Sequence, residues 1–197
     1  MRKIVAGLSI SLDGVIEDPN QWMGPYFNAE AGQTVGSMIA AQDAMLLGRV
    51  TYDAFAAHWP HQSGEMADTM NGTTKYVVSG TLASADWQNT TVIPRDRAAE
   101  QIAELKQQPG KNIGITGSAT LVAWLLREGL LDELHLLVFP VVLGHGKRLF
   151  AGPGDTVPLK LTDSAAFETG VLNLTYTRHD PWQLQVPPGG APSARNR

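Results

Sequence analysis

Two rhythms alternate along the chain, one of period two and one near 3.6, and their order predicts the elements. Lys3 to Ile10 reads as a strand, and "SLDGVIEDPNQWMGP" behind it has no sustained period and predicts a long irregular loop. "NAEAGQTVGSMIAAQ" puts Val35, Met38 and Ile39 on one face of a helix, with Asn28 at its N-cap. Ala44 to Leu47 is a short buried strand, and Thr51 to Ala57 begins another helix. "SGEMADTMNG" predicts a helix capped by Ser63 and ended by Gly72. "KYVVSG" is a strand that breaks at Ser79-Gly80, and "TTVIP" is a strand closed by Pro94. Asp96 then caps "RAAEQIAELKQQ", with Ile102 and Leu105 inward. "NIGITGSATLVAWLLREGL" repeats the grammar of strand, glycine and helix, and "DELHLLVFPVVLG" is a long apolar strand. "LKLTDSAAFETGVLNLTYTR" predicts two strands joined by a turn at Thr169-Gly170.

Strands alternating with helices and then a terminal hairpin define an α/β fold: a mostly parallel sheet, covered by helices, with an antiparallel edge. Residues 1–180 form one domain on this reading. Residues 181–197, "PWQLQVPPGGAPSARNR" with its prolines and glycines, form a mobile tail.

Composition narrows the partners. Of 197 residues 43% are hydrophobic and 17% charged, which is the balance of a globular chain with a real core. A net charge of −4 and the lack of any lysine- or arginine-rich block argue against a nucleic-acid partner, so an anionic ligand would be small and locally held. The chain has no cysteine, which excludes disulfides, thiolate metal sites and cysteine nucleophiles and fits a reducing cytoplasm. No segment reaches the roughly 18 to 20 apolar residues that cross a membrane. The N-terminus reads as a first strand and not as a signal peptide.

Candidate chemistry gathers at three strand ends, "LLGRVTY", "YVVSGTL" and "GITGSATL", where an apolar run stops at a small residue with hydroxyls or a cation behind it. In a parallel sheet such carboxyl ends share one edge, where open α/β folds bind ligands. Glycine admits a ligand close to the backbone, and the N–H groups opening the next helix face an anion. Arg49 adds a planar, permanently charged fork suited to a phosphate monoester. Ser79 and either Thr116 or Ser118 offer hydroxyls for ribose or phosphate oxygens. A helix start with ordinary capping would look similar, and the pattern alone leaves both readings open.

Familiar motifs are otherwise missing. "LGHGKRLF" opens like a dinucleotide fingerprint but lacks the last glycine and follows a late strand. There is no P-loop and no G-x-S-x-G elbow. The five histidines have no metal-binding spacing, so no metal site is expected. The loop after the first strand holds Asp13, Glu17, Asp18, Trp22, Tyr26 and Phe27, aromatic surface and carboxylates that suit a planar substrate or the cover of a core edge equally.

Taken in order, "SLDG", "LLGRVTY", "YVVSG", "GITGSATLVAWLL" and "DELHLLVFPVVLGHGKRLF" resemble the dihydrofolate reductase-like superfamily, and within it the reductase domain of the bifunctional riboflavin-biosynthesis deaminase-reductase. The likeness runs from Arg2 to Arg178. It implies a three-layer fold with helices on both faces of the sheet, and NADPH along the carboxyl edge. By the same resemblance Gly48, Arg49, Val50 and Thr51 form the turn that holds the adenosine 2′-phosphate and pyrophosphate, Arg49 taking the former. Ser79 and Gly80 lie near the adenine ribose, Gly117, Ser118 and Ala119 lie beside the pyrophosphate with Thr120 and Leu121 close by, and Thr116 belongs to the same cofactor-binding turn. Ala6, Leu8 and Ile16 border the nicotinamide. Asp13 is the first candidate for a polar catalytic or substrate-binding role, Glu30 the second, and Trp22 and Phe27 stand on the substrate side. The implied activity is an NADPH-dependent reductase of a pterin-, pyrimidine- or carbonyl-type small molecule, working as a cytoplasmic homodimer. A true dihydrofolate reductase and a non-catalytic NADPH-binding module are the rivals.

Overall fold

A computed structural model describes residues 1–151 and 156–179; the expected tail lies outside the described residues. The elements run β1 (Ile4–Ser11), α1 (Pro19–Trp22), α2 (Ala29–Ala40), β2 (Gln42–Gly48), α3 (Arg49–His58), α4 (Glu65–Gly72), β3 (Thr74–Ser79) and β4 (Thr90–Pro94). They continue through α5 (Ala98–Gln107), β5 (Asn112–Thr116), α6 (Ala119–Glu128), β6 (Glu133–Phe139), β7 (Leu159–Ala166) and β8 (Leu172–Arg178).

All eight strands join one sheet in the order β4-β3-β2-β5-β1-β6-β8-β7. The first six are mutually parallel, whereas β8 runs antiparallel to β6, and β7 to β8. The hairpin turns where expected: Gly170 takes φ 81° and the Phe167 N–H returns to the Val171 carbonyl.

Strand alternation divides the core in two. Ile4, Ala6, Leu8 and Ile10 point to one face with Ala44, Leu46, Ile113 and Ile115, where Ile102 of α5 and Val122 and Leu125 of α6 cover them. On the other face, Met45, Leu47 and Val77 pack against Tyr52 of α3, Met70 of α4 and Trp87. Farther along that face Leu137, Phe139 and Val171 meet Trp22, Tyr26 and Val35. Helices therefore lie on both faces, as the resemblance implied.

Local details depart from the sequence reading in four places. Helix α4 starts at Glu65 behind Gly64, which has φ 102°, so Ser63 does not cap it. Asp96 sits inside a 3-10 turn, Arg95–Arg97, and α5 opens at Ala98 with no side-chain cap. The apolar run of β6 leaves the sheet after Phe139, because Pro140 has no N–H for the ladder. The long loop after β1 contains α1 and a further 3-10 turn, Gly24–Tyr26. The cap on α2 is as expected: Asn28 Oδ1 accepts from the Ala31 N–H at 3.1 Å.

Candidate functional site

The crossovers decide where the sheet opens. Strands β1 and β2 lead into α2 and α3 on one face, while β5, which lies between them, leads into α6 on the other. The chain thus departs in opposite directions at β2 against β5 and at β5 against β1. Adjacent carboxyl ends that diverge in this way leave a crevice, where ligands of open α/β sheets sit.

At that crevice two helix starts are bolted together. The Gly48 N–H donates to Ser118 Oγ at 2.9 Å, and Ser118 Oγ donates to Thr51 Oγ1 at 2.9 Å. Thr51 Oγ1 also accepts from the Ser118 N–H at 3.1 Å. Gly117 and Ser118 are both left-handed, with φ 67° and 54°. A Cβ on Gly117 would come within 3.2 Å of Thr51 Oγ1, so glycine there serves both backbone and space.

The two hydroxyls are spent on linking the helices and not on capping them. Neither α3 nor α6 has a side-chain cap at its first turn. Their opening N–H groups and the positive ends of both dipoles therefore meet at one spot without a side-chain acceptor. An extended anion such as a diphosphate is the group this arrangement suits.

The neighbouring residues line the same edge. Arg49 is half-exposed, and its Nε donates to both oxygens of Asp53 at 2.7 and 2.8 Å, which holds the guanidinium along α3. It borders a cleft of about 450 Å³ with Tyr52, Pro60 and Trp87. Ser79 Oγ accepts from the Thr81 and Leu82 N–H groups at 3.2 and 3.0 Å and so turns the chain after β3. Ser79, Gly80 and Arg95 line a second cleft of about 660 Å³. Val50, Thr116 and Thr120 are exposed on this edge, whereas Ala119 and Leu121 point into the core. The side chains of Ala6 and Leu8 are also in the core, so only their backbone can border a ligand. Ile16 is partly buried against the same core.

Asp13 is the most heavily bonded candidate. Its Oδ1 accepts from Ser11 Oγ at 2.7 Å and the Leu143 N–H at 3.1 Å. Its Oδ2 accepts from the Gly144 N–H at 2.9 Å and Arg148 Nη2 at 3.4 Å. The Ser11 hydroxyl first, and then the two backbone N–H groups, hold its carboxyl well below the ordinary carboxylate range. Glu30 stands apart in the first turn of α2, where Oε2 accepts from Asn28 Nδ2 at 2.9 Å and the Glu168 N–H at 3.0 Å. Those two donors, Asn28 first, lower its carboxyl as well. No hydrogen bond among the described residues joins the two carboxylates. Trp22 lies edge-on to Phe139 with ring centroids 5.5 Å apart, and its Nε1 donates to the Glu17 carbonyl at 2.9 Å. Phe27 is more exposed, at 38%.

The structure gives a role to a segment whose sequence fails the dinucleotide fingerprint. "LGHGKR" meets the loop after β1 at Asp13, and Glu17 Oε2 accepts from the Lys147 N–H at 3.1 Å. Gly144 and Gly146 take φ 75° and 101°, and a Cβ on Gly146 would fall 2.7 Å from Val15 Cγ1. The positive φ of both glycines shapes the turn, and the missing side chain at Gly146 lets the two loops touch. The pairing of glycines with "SLDG" was the signal, but the two stretches are too far apart in the chain for any local pattern to connect them. Among the described residues no acidic or histidine cluster could hold a metal, and no helix is long and apolar enough to cross a membrane.

The chain is similar to known proteins in sequence and in fold. The chain is 31% identical over 183 residues to the uncharacterized protein YyaP of Bacillus subtilis (strain 168), covering 89% of this chain and 94% of that one. A pyrimidine reductase-like protein from Corynebacterium diphtheriae shares the fold with a TM-score of 0.65 at 15% identity, over 91% of this chain and 92% of that one. Dihydrofolate reductase from Enterococcus faecalis, solved with NADP(H), shares it with a TM-score of 0.60 at 15% identity, over 90% and 97%. The family model of the RibD C-terminal domain matches residues 2–173, and this chain, with its dihydrofolate reductase-like sheet and its paired helix starts, belongs to that family.

Proposed function

We propose that the protein is an NADPH-dependent reductase that transfers a hydride to a small planar substrate of the pterin, pyrimidine or carbonyl type. The observation that carries this reading is the pair of uncapped helix starts tied by Ser118 and Thr51 at the carboxyl edge. A donor set of opening N–H groups, close-packed glycine and adjacent arginine fits a dinucleotide, and likeness to reductases of this fold supports the choice.

In this reading the first-turn N–H groups of α3 and α6 bind the pyrophosphate, and Thr51 supplies its free hydroxyl proton. The Nη groups of Arg49, which make no hydrogen bond to described residues, turn to the 2′-phosphate while Nε stays on Asp53. Ser79 and Gly80 border the ribose, and the backbone of β1 with Ile16 borders the nicotinamide. NADPH supplies the hydride when bound. Trp22 and Phe27 shape the substrate side. Asp13 and Glu30 both accept hydrogen bonds from the protein's own donors, so in this reading the proton that completes the reduction is assigned to water. A homodimer belongs to the same proposal, and sedimentation of the purified protein tests it.

Calorimetric titration with NADPH and NADH is the direct test. Wild-type protein is expected to bind NADPH, and Arg49→Ala to weaken it by about thirtyfold, the worth of charge-assisted bonds to one phosphate, with NADH changed by less than about threefold. Equal losses for both would remove Arg49 from the 2′-phosphate. Failure of the wild type to bind either dinucleotide would sink the reading.

A further inference from the structure

We infer that Asp13 is a positioning residue: it latches the Leu143–Arg148 loop onto the segment Gly14–Glu17, so that the two loops form one wall of the crevice beside β1. The inference rests on the reductase reading for what the wall encloses, and on geometry alone for the latch.

Both carboxylate oxygens are engaged, and their donors come from two sides. Ser11 holds the carboxylate from within its own loop, and passes the contact on, because its Oγ accepts from the Val15 N–H at 2.9 Å. Leu143, Gly144 and Arg148 hold it from the other loop. Arg148 closes the join a second time, with Nε donating to the Asp13 carbonyl at 2.8 Å.

The backbones then pair as a short antiparallel ribbon. Val15 bridges Arg148, the Ile16 N–H donates to the Lys147 carbonyl at 2.9 Å, and the Leu149 N–H donates to Gly14 at 3.0 Å. Such a ribbon cannot slide by one residue without losing the carboxylate from the Leu143 and Gly144 N–H groups. One side chain therefore sets the register of both loops. Beside the ribbon the Leu12 N–H donates to the Val141 carbonyl at 2.9 Å, and Leu12 and Val142 are exposed at 61% and 69%, apolar surface that would flank a planar ligand.

This arrangement gives Asp13 no proton to donate and no free lone pair of good geometry for a substrate. A carboxylate accepting from a hydroxyl, two amides and a guanidinium is stabilised in its ionised form. Its effect on a reaction would pass through the wall it holds.

Hydrogen exchange and ligand binding test the latch together on the full chain. In Asp13→Asn the amides of Leu143, Gly144 and Lys147 should exchange at least about tenfold faster, and Val15 and Ile16 with them, while the amides of β2 and β5 stay protected. Affinity for 2′,5′-ADP, which reaches only the adenosine end, should stay within about twofold, and NADPH should bind about tenfold more weakly, with less change in nicotinamide fluorescence on binding. Unchanged exchange at Leu143 and Gly144, or a parallel loss of 2′,5′-ADP and NADPH, would overturn the latch. Should Asp13→Asn not fold, Arg148→Ala must open the same two segments to a smaller degree, and its silence would overturn the inference equally. Wild-type protein that binds neither 2′,5′-ADP nor NADPH would refute the cofactor reading, and the exchange data would then judge the latch alone.

Discussion

The two ends of the sheet handle polar groups in opposite ways. At the amino edge the chain consumes its own donors and acceptors. Arg2 pairs with Asp43 and gives Nε to the Lys111 carbonyl at 2.7 Å, while Asp43 Oδ2 takes the Lys111 N–H at 2.9 Å. Asp132 takes the Ile4 N–H at 2.7 Å and pairs with Lys106, which also reaches the Leu130 carbonyl at 3.0 Å. At the carboxyl edge, hydroxyls that commonly cap helices are spent on each other, and two helix starts are left without side-chain acceptors. A fold that pairs such groups at one edge leaves two helix starts at the other without side-chain acceptors, and the reductase proposal assigns that place to a ligand.

The comparison breaks most visibly at Asp132. Lys106 is buried to 8% exposure, and removing its carboxylate leaves a cation with one carbonyl for company. Asp132→Ala is expected to cost about 3 kcal/mol of stability in urea unfolding, because a buried charge that loses its partner is strongly destabilising. The same variant should leave dinucleotide affinity alone, since nothing at the amino edge reaches the helix starts. A loss of affinity in protein that is still folded would mean that the two edges are coupled.

A smaller effect is expected from Thr51→Val. The substitution keeps the shape of the side chain but deprives the Ser118 N–H and Oγ of their acceptor. Stability should fall by about 1 kcal/mol, one modest hydrogen-bond contribution net of rearrangement. Dinucleotide affinity should fall about fivefold, because the pyrophosphate loses the Thr51 hydroxyl and the left-handed pair at Gly117-Ser118 would no longer be fixed. If Ser118 instead turns to cap its own helix, affinity falls while stability holds, and the contrast between the edges becomes sharper.

What the sequence made legible follows the range of the interactions. The strand ends "LLGRVTY" and "GITGSATL" could be picked out because glycine, hydroxyl and following helix lie within a few residues. Their placement on one edge followed from the alternation of strands and helices. The pairing of Thr51 with Ser118 was out of reach, since the same hydroxyls read equally well as caps. Lys75 shows the same limit: it opens an ordinary strand pattern, yet it is fully buried with Nζ on the carbonyls of Met70, Asn71 and Thr73, and it lies 4.2 Å from the Trp87 ring. Ser63 and Asp96 failed as caps because a glycine and a 3-10 turn moved the helix starts past them. The Asp13 latch depends on partners about 130 positions away, and no local period encodes it.

The smallest effect is one of pH, and it separates the latch from ordinary surface charge. Asp13 binds its proton less readily in the folded chain than in the unfolded one, its carboxyl being lowered by Ser11 and by the Leu143 and Gly144 N–H groups. In acid the unfolded chain therefore takes up the proton first, so stability from this group is present above the usual aspartate range and is lost as the pH falls through the lower folded value. Across pH 7 to about 4, where exposed carboxylates begin to titrate, protection of the Leu143 and Gly144 amides should consequently hold in wild-type protein after correction for intrinsic exchange. Glu17 grips the same loop through a single N–H, that of Lys147. Should protection of Leu143 and Gly144 instead decline in step with an ordinary aspartate titration, Asp13 would be one surface carboxylate among others, and the wall beside β1 would have to be held by the backbone ribbon alone.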